Sequence, residues 1–192
     1  MKYDLSKKPT RGAQRTLTAF CGTMLKLLSE KSFEKISVNE ICEISNFPRA
    51  TFYNYFDDKY DLLNYCWYVI AQEIQVDQAP EAVSNKSLII YFDRLYDVFK
   101  SHAQLLNNIL QYNDFSGQLG NSFINYFKNK MQEIFTTSID YSKLGLPVEL
   151  VDEHCSATVI LVLKWIFLKH QVADKTLAHE YLKKLFDLDE LL

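Results

Sequence analysis

Three residues close together in this 192-residue chain, Arg49, Ala50 and Asn54, are of the types that read nucleobase edges. A guanidinium pairs in bidentate fashion with guanine and a carboxamide with adenine, while a methyl side chain allows close approach or contact with a thymine methyl. Beside them Thr51, Tyr53 and Lys59 offer two hydroxyls and an ammonium. Such groups suit phosphate oxygens, where they fix register without specifying sequence. At ~100° per residue, a helix carries Arg49, Ala50, Tyr53 and Asn54 on one flank and Phe52, Tyr55 and Phe56 on the other. The first flank fits a DNA groove and the second fits a core. A three-helix core in which every aromatic is a packing residue accounts for Phe52, Tyr55 and Phe56 equally well; Tyr53 is the aromatic expected to face outward.

Such residues function only if short helices present them. Ser37-Val38-Asn39-Glu40 has the form of a capping box, with the Ser37 hydroxyl accepting a backbone N–H and Glu40 reaching back to the cap. A second helix therefore begins at Val38, buries Val38, Ile41, Cys42 and Ile44, and stops near Ser45-Asn46, where asparagine tolerates left-handed backbone. Pro48 suits the first turn of a third helix ending near Phe56. Two short helices with a tight turn between Val38 and Tyr55 make a helix-turn-helix, whose second helix lies in the major groove with its N-terminal end at the bases.

Upstream, Arg11 to Leu28 repeats apolar residues at Leu17, Phe20, Met24, Leu25, Leu27 and Leu28, a largely helical period, and Phe33 and Ile36 close the turn. Downstream, Asp57 or Asp58 caps a fourth helix running from Lys59 through Leu62, Leu63, Cys66, Trp67, Val69, Ile70 and Ile74. Residues 78–85 are the most linker-like stretch. Further helices are expected at about 86–100, 103–112, 119–138, 148–170 and 175–187, for an all-α fold of about nine helices.

The segment Ile36 to Leu63, ISVNEICEISNFPRATFYNYFDDKYDLL, resembles the DNA-binding domain of the TetR family of bacterial regulators. The resemblance rests on the amphipathic first helix, the S-V-x-x-I opening of the second, T-F-Y-x-Y-F in the third and F-x-x-K-x-x-L entering the fourth. It covers about the first third of the chain. It implies a helix-turn-helix domain at 1–58 and a helical ligand-binding and dimerisation domain at 59–192. It further implies a homodimer on a palindromic operator whose small-molecule effector changes the spacing of the two readers, most simply a repressor; the alternative is a co-activator or protein-interaction module that does not bind DNA alone. Asn46 stands where glycine is usual, Pro48 replaces a common serine and with it a phosphate-binding hydroxyl, and Tyr60 replaces a frequent acidic residue. Lys59-Tyr60-Asp61-Leu62-Leu63 is also similar to the sub-branch near activators of dihydroxyacetone kinase operons.

The net charge of −3 does not exclude a nucleic-acid partner: residues 1–59 carry 10 basic and 7 acidic groups and the rest 11 and 17. Lys2, Lys7, Lys8, Arg11 and Arg15 face only Asp4 at the start. What matters for DNA is one basic surface, not the sum. The opening residues form no signal peptide, and the longest apolar run, Thr158 to Leu168, is broken by Lys164 and too short for a bilayer, so a soluble cytoplasmic protein with no membrane partner is expected. Cys21, Cys42, Cys66 and Cys155 form no C-x-x-C pair and read as buried structural thiols.

The expected eighth helix is apolar nearly all round, so it must be covered on both sides. A C2 four-helix interface with the ninth would do this, using Val151, Cys155, Val159, Val162, Ile166, Leu177, Tyr181, Leu182 and Leu185. A central helix of a monomer is the alternative. Tyr65, Tyr68, Tyr91, Phe92, Tyr96, Phe99, Phe123, Tyr126 and Phe127 are enough to line an aromatic effector pocket, or simply to fill a core. No nucleotide-binding, nucleophile-elbow or zincin motif occurs, and Asp152, His154 and Cys155 are the nearest approach to a metal grouping. Neither an enzyme, nor a cofactor, nor a metal is expected.

Overall fold

The computed structural model describes residues 9–73, 86–138, 145–169, 171 and 173–186. The regular structure among them is helical: α1 (Arg11–Leu28), α2 (Val38–Ser45), α3 (Arg49–Tyr55), α4 (Lys59–Glu73), α5 (Lys86–Ser101), α6 (Ala103–Tyr112), α7 (Gln118–Ser138), α8 (Val148–Leu163) and α9 (Lys175–Phe186). A 3₁₀ turn covers Phe33–Lys35 and a π turn Lys164–Leu168. The expected linker at 78–85, Ile74, His170 and the basic residues Lys2, Lys7 and Lys8 lie outside the described residues.

By contacts the chain forms two compact units, one made of residues up to Val69 with Gln104–Phe123, the other of Ile70–Ala103 with the residues from Ile124 onward. The first unit thus takes in α6 and the start of α7, unlike a boundary at 58/59. A long-range polar contact accounts for part of this: Asn113, just past α6, bonds to Leu28, Lys31 and Phe33.

In the first unit, α1 starts where the Thr10 hydroxyl accepts from the Ala13 N–H at 3.2 Å. Its buried stripe of Leu17, Phe20, Cys21, Met24, Leu27 and Leu28 forms the floor of the core. Ser37 caps α2 through the Glu40 N–H at 3.2 Å, but the Glu40 carboxylate pairs with Lys31 instead of reaching back, so half of the expected capping box forms. Asn46 closes α2 with φ 58 and ψ 41, and the Phe47 N–H donates to the Cys42 carbonyl at 3.1 Å, the paired bonds of a left-handed helix end. Pro48 precedes α3 instead of occupying its first turn, and its carbonyl accepts from Thr51 and Phe52.

Phe20 is the hub of this core. Its ring lies 5.4 Å from those of Phe47 and Phe52 and 6.2 Å from that of Phe56, and Phe56 in turn packs on Tyr65 at 5.8 Å. Each such pair adds about 0.5–1.5 kcal/mol beyond the area it buries. Ile44, expected inside, is 45% exposed because it lies roughly 110° around α2 from the face of Val38, Ile41 and Cys42.

In the second unit, α5 and α9 are joined by two polar contacts one turn apart, a hydrogen bond between Asp93 and His179 at 2.6 Å and an ion pair between Asp97 and Lys175 at 2.7 Å. The Tyr96 hydroxyl donates to the Ala173 carbonyl at 2.8 Å. On α8 Val151, Cys155, Val159, Val162 and Leu163 are buried, as are Ala178, Leu182 and Phe186 on α9. The helix expected to run to 170 leaves α geometry at Lys164, where the Lys169 N–H reaches back five residues to the Lys164 carbonyl at 3.1 Å. Among the described residues no helix is long and apolar enough to cross a membrane.

Candidate nucleic-acid interface

The reader begins with the inward anchoring of α3. Phe52 and Phe56 are fully buried and Tyr55 half-buried, which leaves Arg49, Ala50, Tyr53 and Asn54 exposed on the opposite flank. Thr51 is half-buried between them. One Nη of Arg49 donates to the Tyr53 hydroxyl at 3.3 Å, and its guanidinium lies 5.8 Å from the Tyr53 ring centroid. The guanidinium is therefore preordered against an aromatic face on the side where it would meet a base.

An open hollow of about 610 Å³ lies along the helix-turn-helix, lined by Asn39, Cys42, Glu43, Asn46, Phe47, Pro48 and Arg49. Asn39 and Glu43 are exposed, four residues apart on α2, and place a carboxamide and a carboxylate beside Arg49. The sequence reading passed over both, although their i,i+4 spacing away from Ile41 and Cys42 is a usable signal. Burial pushes the Cys42 thiol up, with Arg49 opposing that and Glu43 adding to it.

Lys59 does not stand free for a phosphate, as its position at the head of α4 suggested. Its ammonium donates to the carbonyls of Phe33 at 2.9 Å, Glu34 at 3.1 Å and Ile36 at 2.9 Å, and sits 4.6 Å from the Phe33 ring centroid. An ammonium has three donors, and all three are engaged. Burial lowers its pKa, with the carboxylates of Glu34 and Asp58 working the other way. Asp58, not Asp57, caps α4, accepting from the N–H groups of Tyr60 and Asp61 at 2.8 and 2.9 Å.

With this geometry in place, the comparisons with known proteins are specific. Residues 24–66 match the family of bacterial regulatory proteins, tetR family. A search of curated sequences finds no match. Among solved structures, FadR of Bacillus subtilis in complex with stearoyl-CoA aligns with a TM-score of 0.62 at 17% identity, over 88% of this chain and 96% of that one. A protein of Syntrophomonas wolfei described as a TetR-family transcriptional regulator gives 0.66 at 20%, over 92% and 94%. NalD, the secondary repressor of the MexAB-OprM multidrug efflux pump in Pseudomonas aeruginosa, gives 0.60 at 18%, over 93% and 97%. The N-terminal segment is thus similar to the TetR-family domain, and the chain has the fold of TetR-family transcriptional regulators.

The aromatic residues expected to line one pocket are divided between the units. Tyr65, Tyr68 and Phe123 fall in the first, where Phe123 packs edge-on against Trp67 at 5.3 Å; Tyr91, Phe92, Tyr96, Phe99, Tyr126 and Phe127 fall in the second. There Phe167 joins Tyr96 at 5.2 Å and Phe99 at 5.4 Å, and Phe92 meets the His179 ring at 5.9 Å. Phe167 and His179 were missed, because periodicity along one helix says nothing about which helix it meets.

The residues expected at a dimer face divide by their burial within one chain. Val151, Cys155, Val159, Val162, Ile166 and Leu182 are each at most 6% exposed within one chain, so they belong mainly to the core of the protomer. Apart from Val148 and Leu150 at the start of α8, the large apolar residues that α8, the π turn and α9 leave outside are Leu161 at 54%, Trp165 at 50% and Leu185 at 48%, with Tyr181 and Leu177 half-buried. Leu161, Val162, Trp165, Tyr181, Lys184 and Leu185 line one apolar groove. Among the described residues no three His, Cys, Asp or Glu side chains converge as a metal site requires. All four cysteines are buried free thiols.

Proposed function

We propose that this protein is a cytoplasmic, ligand-responsive transcriptional regulator, without enzymatic activity, that binds a palindromic operator as a homodimer and represses. The observation that carries the reading is the α3 flank: Arg49, Ala50 and Asn54 are exposed side by side while Phe52 and Phe56 hold the same helix from behind. In this reading Arg49, Ala50 and Asn54 contact bases, and Thr51 and Tyr53 contact phosphates. Residues 1–58 supply the reader and 59–192 the effector-binding and dimerisation functions. Leu161, Trp165, Tyr181 and Leu185 support the dimer, since an exposed apolar strip on two adjacent helices suits a C2 four-helix contact.

The effector has an apolar portion that binds among Tyr91, Phe92, Tyr96, Phe99, Tyr126 and Phe127. Long-chain acyl-CoA is the first compound to try, since the Bacillus subtilis FadR structure holds stearoyl-CoA. The similarity of Lys59–Leu63 to the branch near activators of dihydroxyacetone kinase operons makes activation the competing sign of regulation.

Binding of the purified protein to its own upstream DNA and to a random pool tests the reading. A selected palindrome supports it; a protein that selects no sequence while remaining folded would move the function to protein interaction.

A further inference from the structure

The backbone of Phe33 is held on both sides, at its N–H and at its carbonyl, by side chains distant in sequence. Its N–H donates to Asn113 Oδ1 at 2.8 Å and its carbonyl accepts from Lys59 Nζ at 2.9 Å. Asn113 is 6% exposed, and its Nδ2 faces the carbonyls of Leu28 at 2.9 Å, Ile109 at 3.0 Å and Lys31 at 3.3 Å. One donor opposite Oδ1 and three acceptors around Nδ2 fix the orientation of the carboxamide. A carboxylate would repel the three carbonyls, and an apolar isostere would leave the Phe33 N–H and the Leu28 carbonyl at the end of α1 without this partner.

These bonds converge on one short stretch. Residues 29–36 leave α1 and end at Ile36, next to Ser37, the cap of α2. Lys59 binds three carbonyls of the stretch, the Lys31 side chain pairs with Glu40 on α2, and Asn113, just past α6, bonds to Lys31 and Phe33. Asn113 lies outside the 24–66 segment that matches the family, yet it binds the turn that aims the two helices of the reader.

We infer that Asn113 is a positioning residue for DNA reading: with Lys59 it fixes the 29–36 turn, and thereby the angle at which α2 and α3 present Arg49 and Asn54. The inference rests on the DNA-binding reading above. A bond lost at this turn leaves the helices intact but lets the pair pivot, so the effect falls on discrimination between sequences more than on helix content.

The test compares Asn113→Leu with Ile109→Val, a neighbouring core substitution that lowers stability without touching the carboxamide. Both full-length variants are read well below their unfolding midpoints, with the DNA-competent fraction titrated. Asn113→Leu is expected to speed amide exchange at Phe33 and to lower the ratio of specific to random DNA affinity, each about tenfold or more. Ile109→Val is expected to leave both unchanged. Should Asn113→Leu not fold, Asn113→Ser, which is smaller and brings no charge among the carbonyls, is read on the DNA ratio alone. A folded Asn113 variant with the wild-type ratio overturns the inference, as does an equal loss in Ile109→Val. If the wild-type protein itself prefers no sequence, the DNA-binding reading fails, and exchange at Phe33 still reports whether the clasp exists.

Discussion

Arg49 and Tyr53 form a hydrogen-bonded pair one turn apart on α3, with the guanidinium donating to the phenol oxygen at 3.3 Å and lying 5.8 Å from the ring centroid. The pair converts a long, mobile cation into a directed one, because the ring limits the rotamers that the guanidinium can adopt. Tyr53→Phe keeps the ring and removes the hydroxyl. The expected outcome is a loss of roughly 2- to 10-fold in affinity that is similar for all sequences, one hydrogen bond being worth about 0.5–1.5 kcal/mol. Titration on selected and random duplexes checks it; a sequence-dependent loss would assign Tyr53 to base reading.

Lys59 gives the opposite expectation from an exposed lysine on a DNA face. Lys59→Met leaves backbone carbonyls near Phe33 and Ile36 without their cation, at a cost of roughly 1–3 kcal/mol in stability. Because the donors of the ammonium are turned to backbone carbonyls, the slope of log affinity against log salt should stay as in the wild type. A slope lower by about one would return Lys59 to the DNA backbone.

Much of this reader was legible in the sequence, and the limits have physical causes. Local signals carried through: the Ser37 cap, the left-handed Asn46 and the division of α3 into aromatic and polar flanks each depend on residues within one turn of each other. Long-range choices did not. Lys59 meets carbonyls 23 to 26 residues earlier and Asn113 meets residues 80 to 85 earlier, and no periodicity encodes either. On α8 the composition required burial on both sides, but which residues faced inward depended on where α9 crossed, and the π turn at Lys164–Leu168 changes the phase of its last residues.

The exposed apolar strip makes a sharp test of assembly. Trp165→Glu places a charge where half of the side-chain surface is open in the single chain, so the protomer should fold with little change. The dimer should dissociate, and operator affinity should fall with it. Sedimentation at micromolar concentration, alongside circular dichroism, measures both. Val159→Glu, at 1% exposure, should instead prevent folding.

Cys155 supplies a pH signature of the α8 core. Burial first, and the Asp152 carboxylate second, raise its thiol from an ordinary 9.0 to about 11. The folded protein thus keeps a proton that the unfolded chain releases, so this contribution to stability is complete below pH 9 and is lost as pH rises through 11. Denaturant unfolding across that window should fall less steeply for Cys155→Ala than for the wild type. Parallel curves would contradict the assignment.

The central claim is that the exposed flank of α3 reads base edges. Selection of bound duplexes from a random pool, run side by side for the wild type and Arg49→Ala, tests it most directly. The expected result is a two-fold symmetric motif for the wild type and, for the variant, loss of preference at one base pair of each half-site, about 1–3 kcal/mol of discrimination. Equal weakening on selected and random DNA, with the motif unchanged, would contradict the account.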